Sequence, residues 1–108
     1  MEREYLVVVT SFPSREAADA ASAELVERRL AACVQVAGPI ASTYRWQGQI
    51  EMSTEWSCTI KTRRDRYADL ETALRKLHPY DTPEILAHTV VEGSPDYLRW
   101  IDASLDGE

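Results

Sequence analysis

Apolar residues in this chain fall into runs of two kinds, unbroken and alternating, and each kind predicts a different element. Tyr5-Leu6-Val7-Val8-Val9-Thr10 is unbroken and largely β-branched, the signature of a strand buried on both faces. Pro13 and Ser14 end it and open a helix, with Ser14 as N-cap and Glu16 in the first turn. On that helix Ala17, Ala21 and Leu25 recur every four residues on one face, and Glu24 pairs with Arg28 at i, i+4 on another. Its end is expected near Leu30.

Between Ile50 and Lys61 the alternation is complete. Ile50, Met52, Thr54, Trp56, Cys58 and Ile60 take one side, and Glu51, Ser53, Glu55, Ser57, Thr59 and Lys61 the other. Twelve residues of period two make about 40 Å of strand, twice the usual length. Upstream, Ala32 to Val36 is a strand interrupted at Gly38-Pro39 and resumed from Ile40 to Trp46, which predicts a bulge or an edge. Gly48, in Trp46-Gln47-Gly48-Gln49, supplies the positive φ of a tight turn, so the two strands form a long hairpin. Asp65 is expected to cap a second helix bearing Tyr67, Leu70, Leu74 and Leu77, and His78-Pro79 stops it. Glu84 to Val91 reads as a fourth strand. Ser94-Pro95-Asp96 opens a terminal helix with Tyr97, Leu98, Ile101 and Leu105 on its apolar face.

The order β-α-β-β-α-β-α predicts an α+β fold of the ferredoxin-like, split-βαβ kind, with a long second-to-third-strand hairpin and a C-terminal helix. Two helices would cover one face of a four-stranded antiparallel sheet. The first strand is apolar on both faces, and the hairpin outruns what one subunit of this size covers. Both features predict a homo-oligomer sharing a core through its helix-free sheet faces and hairpin arms.

Composition narrows function more than fold. With 108 residues the chain is read as one domain, 1–108. Its formal net charge of −6 puts a like-signed field in front of any polyanion, so nucleic acid is not an expected partner. Two cysteines are too few for a disulfide scaffold. Met1-Glu2-Arg3-Glu4 is not a basic leader, and the apolar run that follows is too short for a signal core or a membrane span. A cytoplasmic protein with reduced thiols and no membrane association is expected. Phosphate-cradling glycine loops, nucleophile elbows and zinc-helix motifs are all missing from the sequence.

One segment concentrates chemistry. His78-Pro79-Tyr80-Asp81-Thr82-Pro83-Glu84 sets an imidazole, a phenol and two carboxylates between prolines, just after a helix. Such a nitrogen and oxygen set suits Cu(II), Zn(II) or Ni(II). The plainer reading is that the prolines shape a helix-to-strand turn whose polar groups cap it. Cys33 opens the second strand, as a small hydrophobe or a soft ligand, and Cys58 sits on the apolar face of the third. His88 reads as an ordinary strand histidine. Lys61-Thr62-Arg63-Arg64-Asp65-Arg66 reads as a solvated turn, with Lys61 placed to meet Glu55 or an anionic ligand across a subunit interface.

Taken together, five motifs resemble, in order and spacing, those of the CutA family of divalent-cation tolerance proteins. They are Leu30-Ala31-Ala32-Cys33-Val34, Ser42-Thr43-Tyr44-Arg45-Trp46-Gln47-Gly48, Glu55 with Ile60-Lys61-Thr62, His78 to Glu84, and Tyr97-Leu98-Arg99-Trp100. The resemblance runs from about Val7 to Leu105. It implies a ferredoxin-like subunit in a tight homotrimer, similar in design to the PII signalling proteins. It also implies tolerance and binding of copper and other divalent metals, no enzymatic activity and no organic cofactor. Matched residue by residue, it makes His78, Glu84 and Cys33 the metal candidates. Tyr44, Trp46, Lys61, Tyr80 and Trp100 match positions around the inter-subunit pocket. Asp81 stands where the family commonly has glutamate or glutamine.

The leading expectation is therefore a non-catalytic, copper-binding homotrimer. The alternative is a PII-like signalling or scaffold trimer that holds a small anionic ligand at its interface. An acylphosphatase-type enzyme on the same fold lacks its anion-cradling loop, since Thr10-Ser11-Phe12-Pro13 follows the first strand.

Overall fold

Tyr5–Phe12 forms β1 at the inside of a four-stranded antiparallel sheet ordered β2-β3-β1-β4. The computed structural model describes residues 4–107, so Met1 to Arg3, read above for charge, lie outside it. The other elements are α1 (Arg15–Glu27), β2 (Cys33–Trp46), β3 (Gln49–Arg63), α2 (Arg64–Leu77), β4 (Leu86–Thr89) and α3 (Pro95–Asp106). This is the expected ferredoxin-like arrangement: first and last strands pair, and the central hairpin lies to one side.

The core lies between the sheet and the first two helices. Leu6, Val8 and Phe12 of β1 and Cys58 and Ile60 of β3 meet Ala18, Ala21 and Leu25 of α1 and Leu70, Ala73 and Leu74 of α2. Small alanines let α1 lie close to the sheet. Burying the larger of these side chains stabilises the fold by about 1.5–3 kcal/mol each. Val7 and Val9, on the opposite face of β1, are only half-buried. The double burial expected of that strand is thus not met within one chain. The physical reason is that α3 crosses the second face at one end only, packing Ile101 and Leu105 with Tyr5, Ala32 and Leu98.

Helix ends account for the other departures. Ser14 caps α1 as expected, its Oγ accepting from the Ala17 amide at 3.1 Å, and Glu24 pairs with Arg28 at 3.2 Å. The helix stops at Glu27, short of Leu30, because Arg29 takes a left-handed φ of 57°. Leu30 N–H then reaches the Leu25 carbonyl and Arg29 N–H the Val26 carbonyl, the two bonds of a Schellman ending. Asp65 does not cap α2. It grips Arg63, at the N-cap position, through bonds of 2.8 and 2.9 Å, because β3 runs straight into the helix. Arg63 is 3% exposed and also meets Asp102 and Asp106 of α3, which ties that helix to the β3–α2 junction. β4 spans only Leu86–Thr89, since Pro83 delays its start.

The hairpin is as long as the alternation predicted. Gln47 and Gly48 both have positive φ, the two-residue turn that matches strand twist. The break at Gly38-Pro39 is a bulge: Ala37 pairs with Ser57 and Ile40 with Glu55, leaving two residues opposite Trp56. Any Cβ at Gly38 would lie 2.7 Å from Trp56 Cδ1, so only glycine fits there. Beyond the bulge the face that carries Ile50 and Met52 is uncovered, and these two are 68% and 74% exposed. Among the described residues no helix is long and apolar enough to cross a membrane.

Candidate functional site

Proline at position 79 forces the chain out of α2, and His78 takes the extended conformation that a residue before proline prefers. The loop 79–84 then folds against the bulged half of the hairpin. Between them lies a groove of about 850 Å³, lined by Ser11, Ser42, Thr43, Tyr44, Trp46, Glu55 and the segment Pro79–Glu84.

Its polar floor is a short chain of hydrogen bonds. The carboxylate Oε2 of Glu55 accepts from Tyr80 Oη at 3.0 Å and from Ser11 Oγ at 3.1 Å. Ser11 offers its carbonyl to His78 Nε2 at 2.6 Å, and His78 Nδ1 accepts the Tyr80 amide at 3.3 Å. Since Nδ1 is an acceptor, Nε2 carries the proton, and the imidazole is neutral with both nitrogens in use. It stacks on Phe12 with ring centroids 4.3 Å apart. Burial pushes the His78 pKa down, against smaller upward pulls from the Ser11 carbonyl and the Glu55 charge. Burial, then the bond to Glu55, pushes Tyr80 up to about 12, so its hydroxyl remains a donor at any physiological pH.

Glu55 is 9% exposed, and among the described residues it forms no salt bridge and takes its hydrogen bonds at Oε2. Exposed Asp81 and Glu84 supply the other charges of the lining, which contains no Lys, Arg or His.

The metal candidates are not gathered in one place. His78 is buried beneath the loop, and Glu84 is exposed on the groove. Cys33 is half-buried on the far side of the sheet from α1 and α2. It lies across from Lys61 and Val7, four residues along β1 from Ser11, or about 13 Å. Among the described residues no three His, Cys, Asp or Glu side chains cluster closely enough to hold a metal ion. Of the pocket candidates, Tyr44, Trp46 and Tyr80 line the groove, whereas Lys61 and Trp100 stand outside it. Within the chain Lys61 donates to Gln35, not Glu55, and Trp100 stacks on Tyr97 with centroids 5.4 Å apart.

The sequence pattern marked Glu55 as a motif residue and as a partner for Lys61 across an interface, and gave Ser11 no part in a site. Glu55 falls on the polar side of an alternating strand, where solvent is the default. Its one visible signal was company: a carboxylate on a long strand in a chain that also carries a phenol between two prolines.

Comparison with known proteins agrees with this architecture. The profile of the CutA1 divalent ion tolerance protein family matches residues 6–104. A divalent-cation tolerance protein CutA of Thermus thermophilus is 40% identical over 95 residues, 88% of this chain and 92% of that one. The crystal structure of CutA from Xylella fastidiosa superposes with a TM-score of 0.92 at 40% identity, over 94% of this chain and 98% of the other. A structure described as the periplasmic divalent cation tolerance protein CutA from Archaeoglobus fulgidus gives 0.90 at 35%, over the same shares.

Proposed function

The chain belongs to the CutA1 divalent ion tolerance family, and from that footing we propose that it is a non-catalytic homotrimer that binds divalent cations, copper among them. The charge of the groove carries this reading. Glu55, Asp81 and Glu84 line it and no cationic side chain does, so it draws cations in and repels anions. The alternative, a small anionic ligand held at the subunit interface, would draw on Lys61 of a neighbouring protomer, since within one chain Lys61 lies outside the groove.

His78 fits a metal poorly, because it is buried and ligation through Nδ1 would displace the Tyr80 amide; its part is to hold the loop on Ser11 through Nε2. The carboxylates of one protomer do not converge on one point, so a full ligand set needs a second protomer. The uncovered hairpin end and the half-open sheet face support that assembly. Cys33, on the open face, is the candidate for Cu(I), whose soft character suits a thiolate. Cys33 and Cys58 lie on opposite faces of the sheet and need no oxidising compartment, which favours the cytoplasm.

Light scattering should return three times the chain mass. Calorimetric titration with Cu(II) should show binding that Asp81→Asn and Glu84→Gln weaken, and titration with Cu(I) binding that Cys33→Ser weakens. A stable monomer, or affinities unchanged in all three variants, would remove the proposal.

A further inference from the structure

The face of the sheet turned away from α1 and α2 carries opposite charges at its two ends. On β3 these are Lys61 and Arg63 at one end, and Glu55 and Glu51 toward the hairpin arm. The register adds only uncharged neighbours to that face from β1 and β2, Val7, Val9, Cys33 and Gln35 among them. Arg63 is taken up by Asp102 and Asp106 of α3. Lys61 is half-buried, and its partner within the chain is the neutral amide of Gln35. Glu55 accepts from the hydroxyls of Tyr80 and Ser11, which hold the carboxylate in place without cancelling its charge. Six residues of strand, about 20 Å, separate Glu55 from Lys61, so the two cannot meet within one protomer.

A homotrimer that closes on this face takes water away from Lys61. An ammonium group so covered costs several kcal/mol unless a carboxylate meets it. Copies in a closed ring bring different patches of the same face together, so the acid must be one that this face already carries. Glu51 is exposed on the arm, whereas Glu55 is already shielded from water, where an ion pair is stronger. Ser57 and Thr59, between Glu55 and Lys61, are small enough to let a second sheet face approach. From this charge complementarity we infer that Lys61 of each protomer pairs with Glu55 of the next, so that a neighbour completes the buried end of every groove. The inference rests on the homotrimer of the proposed function and names the contact that closes it. Asp81 and Glu84 remain the carboxylates open to a cation, and a Lys61 held in this way has no free charge for an anion.

The test is a double-mutant cycle on dissociation of the full chain, read by sedimentation over a dilution series. Lys61→Met and Glu55→Gln should each raise the concentration of half-dissociation by about tenfold or more. Glutamine removes the charge and keeps an acceptor for Tyr80. The double variant should exceed Glu55→Gln by no more than about twofold. Sites about 20 Å apart in one chain contribute additively, so losses that multiply in the double variant overturn the pair. A second measurement combines Glu55→Cys and Lys61→Cys in a Cys33→Ser chain treated with a bismaleimide too short to span about 20 Å. A denaturing gel should show a ladder ending at three chains, and neither single-cysteine control should show one. A ladder ending at two chains, or none from a chain that is trimeric in solution, overturns this inference alone. A monomer in solution overturns the homotrimer with it.

Discussion

Tyr80 donates its phenolic hydroxyl to Glu55 across 3.0 Å, joining the loop after α2 to the middle of β3. The bond makes the loop one wall of the groove and fixes which carboxylate oxygen stays open. Tyr80→Phe removes one of the two hydroxyl donors to Oε2 while keeping the ring. It should cost about 1.5 kcal/mol of stability, the low end for a hydrogen bond to a charged group because this one is only part-buried. In a Glu55→Ala, Tyr80→Phe double-mutant cycle by urea unfolding, a coupling near that value is expected, and strict additivity would show that the pair does not interact.

His78 makes stability depend on pH in a defined direction. Its folded pKa is lowered by burial from 6.5, so the unfolded chain takes up its proton first as the medium is acidified. Stability associated with His78 is therefore full above about pH 6.5 and lost as pH falls through the lower folded value. Urea midpoints measured from pH 8 to pH 5 should fall across that window. In His78→Gln, which cannot titrate, the fall should be shallower. Parallel curves for the two proteins would assign the effect elsewhere.

Arg63 is the only buried cation tying α3 to the sheet among the described residues, and its carboxylate partners are partly exposed. Replacing it with methionine keeps the volume but leaves Asp102 and Asp106 without that partner. The loss expected is about 3 kcal/mol, toward the low end for a broken buried pair because water reaches the acidic side. Amide exchange should quicken across Pro95–Asp106 while the α1–sheet core stays protected. Uniform quickening would mean that α3 does not open separately.

Two turn positions should respond in opposite directions. Gly48, at φ 80°, pays for any side chain, and Gly48→Ala should lower stability by about 1 kcal/mol. Gln47, at φ 52°, sits where asparagine is preferred, and Gln47→Asn should raise it by a few tenths of a kcal/mol. Thermal unfolding of both variants checks the turn type directly.

Much of the architecture was legible because it is written in short-range chemistry. The Ser14 cap, the proline stop after His78, the alternation from Ile50 to Lys61 and the glycine of the turn each act within a few residues, and each stands where expected. Even the bulge was readable, since a proline within a strand run has few other outcomes. The end of α1 was not: an arginine in the left-handed region carries no signal of its own, and its side chain's bond to the Ser104 carbonyl comes from the other end of the chain.

The candidate site divides along the same line. Local sequence determined that an imidazole, a phenol and two carboxylates would share a rigid loop, because the prolines at 79 and 83 act on their own neighbours. It did not determine where that loop lies. Only packing against the bulged hairpin buries Glu55, occupies both nitrogens of His78 and leaves Cys33 on another part of the sheet. Those outcomes depend on residues 25 and 67 positions apart in the chain, and burial over such separations is a property of the folded surface, which no local periodicity encodes.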